Sequence, residues 1–178
     1  KLECGPLPEF FKIPRAGFTE PRVHVLINSN LIVPLVGEGK AFTNMFPHDD
    51  HNKGVARVLG EPYVNRYVVA NRDFPGLSYP ASLENRVLVI GMIFVWEFDY
   101  STYFNQFNLN EEARKYHVVR TRKVNGHALY TLTRLPMGAK FSPSLAQLTT
   151  WVMVDPLLAI PGVKVTTMID NVRIMADN

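Results

Sequence analysis

Two aspartates that each follow an apolar, strand-like segment are the residues best placed to do chemistry in this chain. Asp99 comes directly after the segment 93–98, and Asp170 follows the run 163–168 at a turn. Burying an unpaired carboxylate is strongly unfavourable, so each aspartate should lie at a sheet edge with a partner or bind a cation. Two carboxylates that converge from distant strand ends can share a hard divalent cation such as Mg²⁺. Taken alone, the two residues are explained more simply as a helix cap and an ordinary turn residue.

Three sequence motifs favour the metal-binding interpretation. In the segment 98–107, Asp99 is followed five positions later by Phe104 and two positions after that by Gln106. The segment 135–143 reads Leu-Pro-Met-Gly-Ala-Lys-Phe-Ser-Pro, and the segment 168–171 reads Met-Ile-Asp-Asn. In order and spacing these segments resemble the three catalytic motifs of reverse transcriptases. The resemblance covers residues 66–177 and is strongest toward the enzymes of tyrosine-recombinase retrotransposons, particularly VIPER-type elements.

The resemblance implies an RNA-directed DNA polymerase that adds deoxynucleoside triphosphates to a DNA primer on an RNA or DNA template. Asp99 and Asp170 would bind two Mg²⁺ ions, for which Mn²⁺ could substitute, and the carbonyl of Phe98 would join them. Asn171 stands at the remaining catalytic position of the third motif. One ion would activate the primer 3′-hydroxyl, and the other would hold the triphosphate and its leaving group.

The resemblance also implies residues that bind the nucleotide and the template-primer. Phe104 would lie under the sugar and exclude a 2′-hydroxyl, and Gly138 would let the backbone approach the template or nucleotide closely. The ordinary alternatives are a core aromatic and a simple turn glycine. Arg66, at the start of a predicted strand, is the preferred basic contact to the incoming nucleotide, although a solvated arginine fits the sequence equally well. The other predicted contacts are Gln106 and Met137 with the nucleotide, and Pro136, Met168 and Arg72 with the template or primer.

Two residues depart from the third motif of that family. Asn171 replaces the second aspartate, which removes a negative charge beside the metal ions, and Met168 replaces the usual aromatic. These departures leave a second interpretation open, a decayed or domesticated polymerase-like module that binds nucleic acid or protein without catalysis. A third interpretation, an RNA-binding sheet domain of the RRM type, predicts a Gly-Phe-rich strand motif that the sequence does not contain.

Composition restricts the remaining classes of function. The chain has 178 residues, 47% of them hydrophobic, which suffices for one compact domain or two small lobes. Its formal net charge of +3 is compatible with a phosphate-rich partner. Cys4 is the only cysteine, so neither an intramolecular disulfide nor a cysteine-based zinc site can form. The longest apolar run, 87–96, is too short to span a bilayer, so we expect no membrane partner. A lone cysteine fits a reducing compartment, so we expect an intracellular location, cytoplasmic or nuclear.

The order of predicted elements from residue 93 is strand, helix, hairpin, helix, hairpin. This order favours an α+β fold in which helices pack on one face of a mainly antiparallel sheet. By the resemblance, 93–178 is a polymerase palm and 1–92 is an N-terminal extension with a partial, fingers-like region. The thumb is absent, and we expect the chain to be a piece of a larger polyprotein that also carries a thumb and a ribonuclease H.

Individual elements are predicted from periodicity and turn residues. Strands are predicted at 23–26, 31–36, 67–70, 86–90, 93–98, 163–168 and 172–176. Of these, 86–90 and 93–98 are expected to be buried, and 31–36 to lie at a sheet edge because of Pro34. A hairpin is predicted from 116–123 and 128–133 around Asn125-Gly126. Helices are predicted at 52–60, at 103–107 and from Ser142, which would act as the N-cap, with Pro156 and Pro161-Gly162 ending that helix. The apolar residues of this last helix are expected to share one face, and they are Leu145, Leu148, Val152 and Met153.

Three further groups of residues are weaker candidates. His48 and His51 could chelate zinc, but no second cluster completes four ligands, and a solvated loop is the better explanation. The basic stretch at 114–123 could follow a phosphate backbone or form an ordinary exposed face. The aromatics Tyr63, Tyr67 and Phe74 could stack on bases, although core packing is the more common role.

Overall fold

Short helices and antiparallel strands alternate along the chain. The computed structural model describes residues 20–50, 55–68, 89–123 and 126–177. Within these residues the helices are α1 (Glu20–Asn28), α2 (Glu111–Arg114) and α3 (Ser142–Leu158), and 3₁₀ helices lie at Tyr63–Arg66 and Tyr103–Gln106. The strands are β1 (Ile32–Pro34), β2 (Thr43–Asp50), β3 (Val55–Pro62), β4 (Phe94–Asp99), β5 (Val118–Lys123), β6 (Gly126–Leu132), β7 (Val163–Met168) and β8 (Asn171–Ala176). The predicted α+β class with antiparallel sheets is confirmed.

The first of two compact units combines residues 1–69 with residues 104–142. It holds a three-stranded sheet in the order β1-β6-β5 and the antiparallel pair β2-β3. Apolar side chains from α1, these strands and the adjoining loops form its core, which consists of Val23, Leu26, Ile32, Met45, Leu109, Val119, Tyr130, Leu132 and Leu135.

Two predicted elements of this unit have a different type in the structure. The strand predicted at 23–26 is wrong, because Val23 and Leu26 lie three residues apart in α1 and both reach the core from one helical face. The helix predicted at 52–60 is wrong over the described residues, because β3 pairs with β2 along its whole length. Pairing with the neighbouring strand therefore outweighs the local propensity of this segment.

The other sheet of this unit follows the sequence more closely. β1 is an edge strand, as Pro34 predicts, and pairs with β6. The predicted hairpin is confirmed as β5 and β6. Lys123 pairs with Gly126, so Gly126 begins β6 instead of completing the predicted Asn-Gly turn. Residues 124 and 125 lie outside the described part.

The second unit combines residues 70–103 with residues 143–178. Its sheet has the order β4-β8-β7, and β8 is the central strand. α3 lies over this sheet, since Gln147 hydrogen-bonds to Thr167 on β7 and Thr150 hydrogen-bonds to Ile169 in the turn that follows. The strands predicted at 163–168 and 172–176 are confirmed as β7 and β8.

The strand predicted at 93–98 is confirmed within one residue as β4, but its predicted burial is wrong. Its apolar side chains, which are Phe94, Val95, Trp96 and Phe98, are between 41% and 53% exposed. The reason is position, because β4 lies at the edge of its sheet. Of the strand predicted at 86–90, Val89 and Ile90 are described, and the prediction is wrong for these two, because Val89 is helical and Ile90 lies in a turn. The Met92 N–H donates to the Val89 carbonyl across this turn.

α3 begins at Ser142, as predicted, but it continues through Pro156 to Leu158. The Ser142 hydroxyl donates to the Pro136 carbonyl at 2.7 Å, so it ties the helix to the preceding turn instead of capping it. The apolar side chains predicted to share one face are exposed, and they are Leu145, Leu148, Val152 and Met153. The buried face carries smaller or more polar residues, which are Ser144, Ala146, Gln147, Thr150 and Val154.

Each unit is built from two stretches of chain, which differs from the predicted division between residues 92 and 93. Residues 104–142 join the first unit because β6 pairs with β1, so this hairpin completes a sheet that begins near the N-terminus. No helix within the described part of the chain is long and apolar enough to cross a membrane.

Candidate active site

Asp99 and Asp170 lie at the same end of the β4-β8-β7 sheet. Asp99 is the last residue of β4 and is in register with Asn171, the first residue of β8. Asp170 precedes Asn171 in the turn, and its carbonyl accepts a hydrogen bond from the Tyr100 N–H at 2.9 Å. Hydrogen-bonded and non-hydrogen-bonded pairs alternate in an antiparallel ladder, so Asp99 and Asn171 form a non-hydrogen-bonded pair with Cα atoms about 4.5 Å apart. The first and third motifs therefore meet in space.

Phe98 and Met168 flank this end of the sheet. Phe98 pairs with Val172, and its ring meets the Tyr100 ring edge-on with centroids 5.6 Å apart. Met168 ends β7, pairs with Asn171 and is 55% exposed. The roles predicted for them, toward a metal ion and toward the primer, stay predictions.

The turn that carries Asp170 has a backbone conformation unusual for its sequence. Ile169 and Asp170 are the two residues between β7 and β8, and Ile169 has a φ of 57°. Glycine adopts positive φ readily, whereas a β-branched residue there is an outlier. Thr102, in the loop after Asp99, has a φ of 50°. Such strain costs on the order of 1–3 kcal/mol, persists when the surrounding structure holds it, and clusters at active sites.

Two side chains from the buried face of α3 hold the strained turn. The Gln147 Oε1 atom accepts a hydrogen bond from the Ile169 N–H at 2.6 Å, and its Nε2 donates to the Thr167 hydroxyl at 2.7 Å. The Thr150 hydroxyl donates to the Ile169 carbonyl at 2.5 Å. The peptide groups on both sides of the Ile169 Cα are therefore fixed by α3.

Tyr103 extends this network. Its hydroxyl lies 2.8 Å from the Thr150 hydroxyl and 3.3 Å from the Ala146 carbonyl, and its ring stacks on Tyr100 with centroids 5.1 Å apart. Burial raises the pKa of the Tyr103 phenol, and the hydrogen bond with Thr150 opposes the rise in part. The Thr150 hydroxyl also lies 3.1 Å from the Ala146 carbonyl, but its single hydrogen serves the closer Ile169 carbonyl. Tyr103 is therefore the donor between the two hydroxyls.

The acidic end of the sheet offers ligands that suit Mg²⁺. This ion is usually held by one or two carboxylates together with water and substrate phosphates. Asp99 and Asp170 supply two carboxylates, and Asn171 supplies an amide oxygen. Among the described residues no group of three or more His, Cys, Asp or Glu side chains could hold a metal ion.

The second motif lies in the first unit, where Gly138 is pressed against β3. A Cβ atom at Gly138 would lie 2.1 Å from the Gly60 carbonyl oxygen, so only glycine fits. Asn65 holds the same turn, since its Nδ2 donates to the Gly138 carbonyl at 2.9 Å and its Oδ1 accepts from the Lys140 N–H at 2.9 Å. The close approach that the sequence predicts at Gly138 thus exists toward the protein's own backbone, and an approach to nucleotide stays a prediction.

Arg66 lies beside this turn but not on a strand. The prediction that it begins a strand at 67–70 is wrong for the described residues, because Arg66 ends the 3₁₀ helix Tyr63–Arg66 and Tyr67 continues as a turn. The Arg66 guanidinium lies over the Tyr63 ring, 4.8 Å from its centroid. Its neighbour Asn65 contacts Gly138, so the structure brings these two predicted nucleotide-binding positions together.

The other nucleotide-binding candidates also belong to the first unit. Phe104 is partly buried and packs against the core of the first unit, as the core-aromatic alternative predicts. Because its burial is only partial, a contact with substrate stays a prediction. Gln106 is exposed at the end of the 3₁₀ helix Tyr103–Gln106. Pro136 and Met137 line a small, mainly apolar pocket with Asn105 and Gly60.

Several weaker predictions fall partly outside the described residues. Arg72, Phe74 and His51 lie outside them. His48 lies on β2, opposite Arg57 on β3, instead of in a solvated loop. In the basic stretch, Arg114 donates to the Leu109 carbonyl and Lys115 pairs with Glu112 at 2.7 Å.

Sequence reasoning missed Gln147, Thr150 and the strain at Ile169. One signal was available, because Ser144, Gln147 and Thr150 recur every three residues in a helix that is otherwise mostly apolar. That recurrence places three polar side chains on one helical face. The backbone strain had no such signal.

The chain matches no protein-family model and no curated protein sequence.

Proposed function

We propose that this chain is the catalytic part of an RNA-directed DNA polymerase, with the β4-β8-β7 sheet as its palm and the first unit as a fingers-like region. It would add deoxynucleoside triphosphates to a DNA primer on an RNA or DNA template. The observation that carries the proposal is the register of β4 with β8, which makes neighbours of Asp99 and Asn171. If the motifs were chance matches, there would be no reason for Asp99 and Asp170 to lie at the same end of one sheet.

The residues at this end of the sheet would have distinct roles. Asp99 and Asp170 would supply the negative charge that holds Mg²⁺, and Asn171 would supply a neutral oxygen ligand. Mg²⁺ bound there would lower the pKa of the primer hydroxyl and neutralise the charge that develops on the triphosphate. The strained turn supports this assignment, because a rigidly held acidic residue avoids reorganisation when charge develops.

The first unit would contribute the contacts to the nucleotide and the template-primer. Phe104 would exclude a 2′-hydroxyl with the exposed part of its ring, while its buried part rests on the core. Arg66 is exposed, and arginine is suited to phosphate recognition. Gln106, Met137 and Pro136 also belong to this unit, and their predicted contacts are part of this proposal. The predicted contact of Met168 with the template or primer would come from the second unit.

Metal binding by the whole chain tests the proposal without requiring turnover. Mn²⁺ would be titrated into the protein and followed by its electron paramagnetic resonance signal, with and without a deoxynucleoside triphosphate. We expect binding that strengthens with the nucleotide and is lost in Asp99→Asn and in Asp170→Asn. Primer extension on RNA and DNA templates would be measured on the same preparations. Equal Mn²⁺ binding by the native chain and both variants would exclude this metal site.

The second candidate function is favoured by Asn171, which removes a charge from the proposed metal site. In that case the chain is a decayed polymerase-like module that binds nucleic acid without catalysis. Tight binding of a primer-template with no extension at any Mg²⁺ or Mn²⁺ concentration, in both the native chain and Asn171→Asp, would establish this alternative.

A further inference from the structure

Three buried polar side chains surround the Ile169–Asp170 turn, and none of them belongs to the proposed catalytic residues. Thr150 is fully buried, Gln147 is 1% exposed and Tyr103 is 4% exposed. Apolar residues of similar size would cover the sheet without the cost of desolvating polar groups. Leucine, valine and tryptophan occupy the exposed side of the same helix, so the sequence places polar groups toward the sheet and apolar groups outward.

The hydrogen bonds of these side chains converge on one residue. Gln147 accepts from the Ile169 N–H, and Thr150 donates to the Ile169 carbonyl. The orientation of the Gln147 amide follows from its partners, since a backbone N–H can only donate and must face Oε1. The N–H and the carbonyl of Ile169, the residue whose φ is 57°, are therefore both held by side chains of α3.

We infer that Gln147 and Thr150 are positioning residues, which hold the Ile169–Asp170 turn in its strained conformation and thereby place the Asp170 carboxylate beside Asp99. The functional half of this inference rests on the proposed function. Residues behind metal ligands commonly act in this way, because they fix the orientation of the ligand. Tyr103 supports Thr150 by donating to its hydroxyl.

Substitutions at Thr150 separate the hydroxyl from the volume of the side chain. Thr150→Val removes the hydroxyl and keeps the shape, whereas Thr150→Ser keeps the hydroxyl and loses a methyl group. Thr149→Val is a matched control, because Thr149 lies on the same helix and its hydroxyl donates to the Leu145 carbonyl at 2.9 Å, away from the turn. We call the hydrogen bonds of Gln147 and Thr150 to the Ile169 backbone the clamp. Gln147→Leu removes the hydrogen bond on the N–H side of Ile169. Tyr103→Phe weakens the one on the carbonyl side by removing the hydroxyl that donates to Thr150.

Two measurements on the whole chain report on the clamp. Hydrogen exchange of the Ile169 amide, followed by NMR, reports whether the turn is held. Mn²⁺ affinity, measured by electron paramagnetic resonance, reports whether Asp99 and Asp170, the acidic pair, are in place. We expect Thr150→Val and Gln147→Leu to accelerate exchange and to weaken Mn²⁺ binding about tenfold, as loss of an outer-shell partner typically does. Thr150→Ser and Thr149→Val should stay within about twofold of the native chain, the range of a neutral substitution.

The outcomes distinguish this inference from the proposed function. Mn²⁺ binding that depends on Asp170 but is unchanged in Thr150→Val and Gln147→Leu would overturn the inference and leave the proposed site intact. Mn²⁺ binding that does not depend on Asp170 would overturn the site and the functional half of the inference together. If Thr150→Val unfolds, Tyr103→Phe takes its place, and unchanged exchange at Ile169 in that variant would contradict the clamp.

Discussion

At the scale of single residues, Asn171 faces Asp99 across the β4-β8 ladder. An amide oxygen can ligate Mg²⁺ but carries no net charge, and Mg²⁺ prefers carboxylates and phosphate oxygens. Asp170 is therefore the one carboxylate of this turn, and its replacement by asparagine would leave the turn uncharged. We expect Asp170→Asn to abolish synthesis.

Asn171→Asp should lower the concentration of Mg²⁺ that synthesis requires. The added carboxylate should lower the Mg²⁺ concentration at half-maximal primer extension by up to about fivefold, since exposed charge pairs contribute up to about 1 kcal/mol. A magnesium titration of the two proteins at a fixed nucleotide concentration measures the change. An unchanged or higher half-maximal concentration would show that Asn171 lies outside the metal's reach.

His117 makes folding of the first unit depend on pH. It is 3% exposed, its Nδ1 lies 3.0 Å from the Thr43 hydroxyl, and burial lowers its pKa to about 4. An unfolded histidine titrates near pH 6.5, so the unfolded chain takes up a proton first as pH falls. The stability that neutral His117 contributes is complete above about pH 6.5 and is lost progressively toward pH 4, by about 3 kcal/mol in total.

We expect His117→Gln to lose less unfolding free energy between pH 7 and pH 4 than the native chain does. Urea unfolding at several pH values measures this difference, which isolates His117 from carboxylates that titrate in the same range. His24→Gln is the control, because His24 is exposed on α1. Parallel pH profiles for the native chain and His117→Gln would contradict the assignment.

The residues that the sequence identified are those with a chemical type that stands out from its surroundings. Asp99 and Asp170 are charges that follow apolar runs, and both lie where strand ends meet. Gln147 and Thr150 were missed because a polar residue in a helix is ordinarily expected to face water. Their role depends on which side of α3 is buried, which is decided by packing against a sheet whose strands come from both before and after α3 in the chain.

At the scale of elements, the second motif is a turn locked against β3 by close packing. Gly138 is not among the residues with positive φ, so glycine is needed there for space and not for backbone conformation. We expect Gly138→Ala to destabilise the fold by about 1–3 kcal/mol or more, because its Cβ would overlap the Gly60 carbonyl and the backbone must move. Urea unfolding monitored by circular dichroism measures the loss.

Gly37→Ala provides the comparison for Gly138→Ala. A Cβ atom at Gly37 would meet nothing within 4 Å, but its φ is 79°. That substitution should cost about 1–2 kcal/mol through backbone strain alone. A Gly138→Ala variant as stable as the native chain would show that the turn can move away from β3.

Elements defined by local signals were predicted well, and elements defined by pairing were not. β7, β8 and the β5-β6 hairpin have strong β-branched runs and turn residues, and they lie where the sequence indicates. β3 was mistaken for a helix because it is a strand through its pairing with β2, which its own sequence does not indicate. Part of α1 was mistaken for a strand because a short, mainly apolar segment such as 23–26 fits either type.

At the scale of the whole molecule, the proposed activity draws on both units. The acidic pair and its clamp belong to the second unit, whereas Phe104, Gly138 and Arg66 belong to the first. Asp99 and Phe104 are five residues apart along the chain, in different units. Substitutions at the proposed substrate contacts of the first unit should therefore change which substrates are selected. Substitutions of Asp99 and Asp170 should change whether the reaction occurs.

Sugar selection by Phe104 is the sharpest test of that division. Phe104→Ala should raise the incorporation of ribonucleotides relative to deoxyribonucleotides by at least about tenfold, which corresponds to about 1.4 kcal/mol. The physical reason is that a smaller side chain leaves room for the 2′-hydroxyl. Competition between the two kinds of triphosphate in primer extension measures the ratio, and Phe104→Tyr should preserve discrimination because the ring remains.

Loss of core packing must be separated from loss of selection, because Phe104 also packs against the core. Phe107→Ala is the matched control, since Phe107 packs against the same core from the same segment. Both alanine variants should lower the free energy of unfolding, by about 3–5 kcal/mol if the ring were fully buried and by less for these partly exposed rings. Only Phe104→Ala should change the ratio of ribonucleotide to deoxyribonucleotide incorporation. If both folded variants discriminate as the native chain does, Phe104 is a core aromatic and the selection of the sugar lies elsewhere.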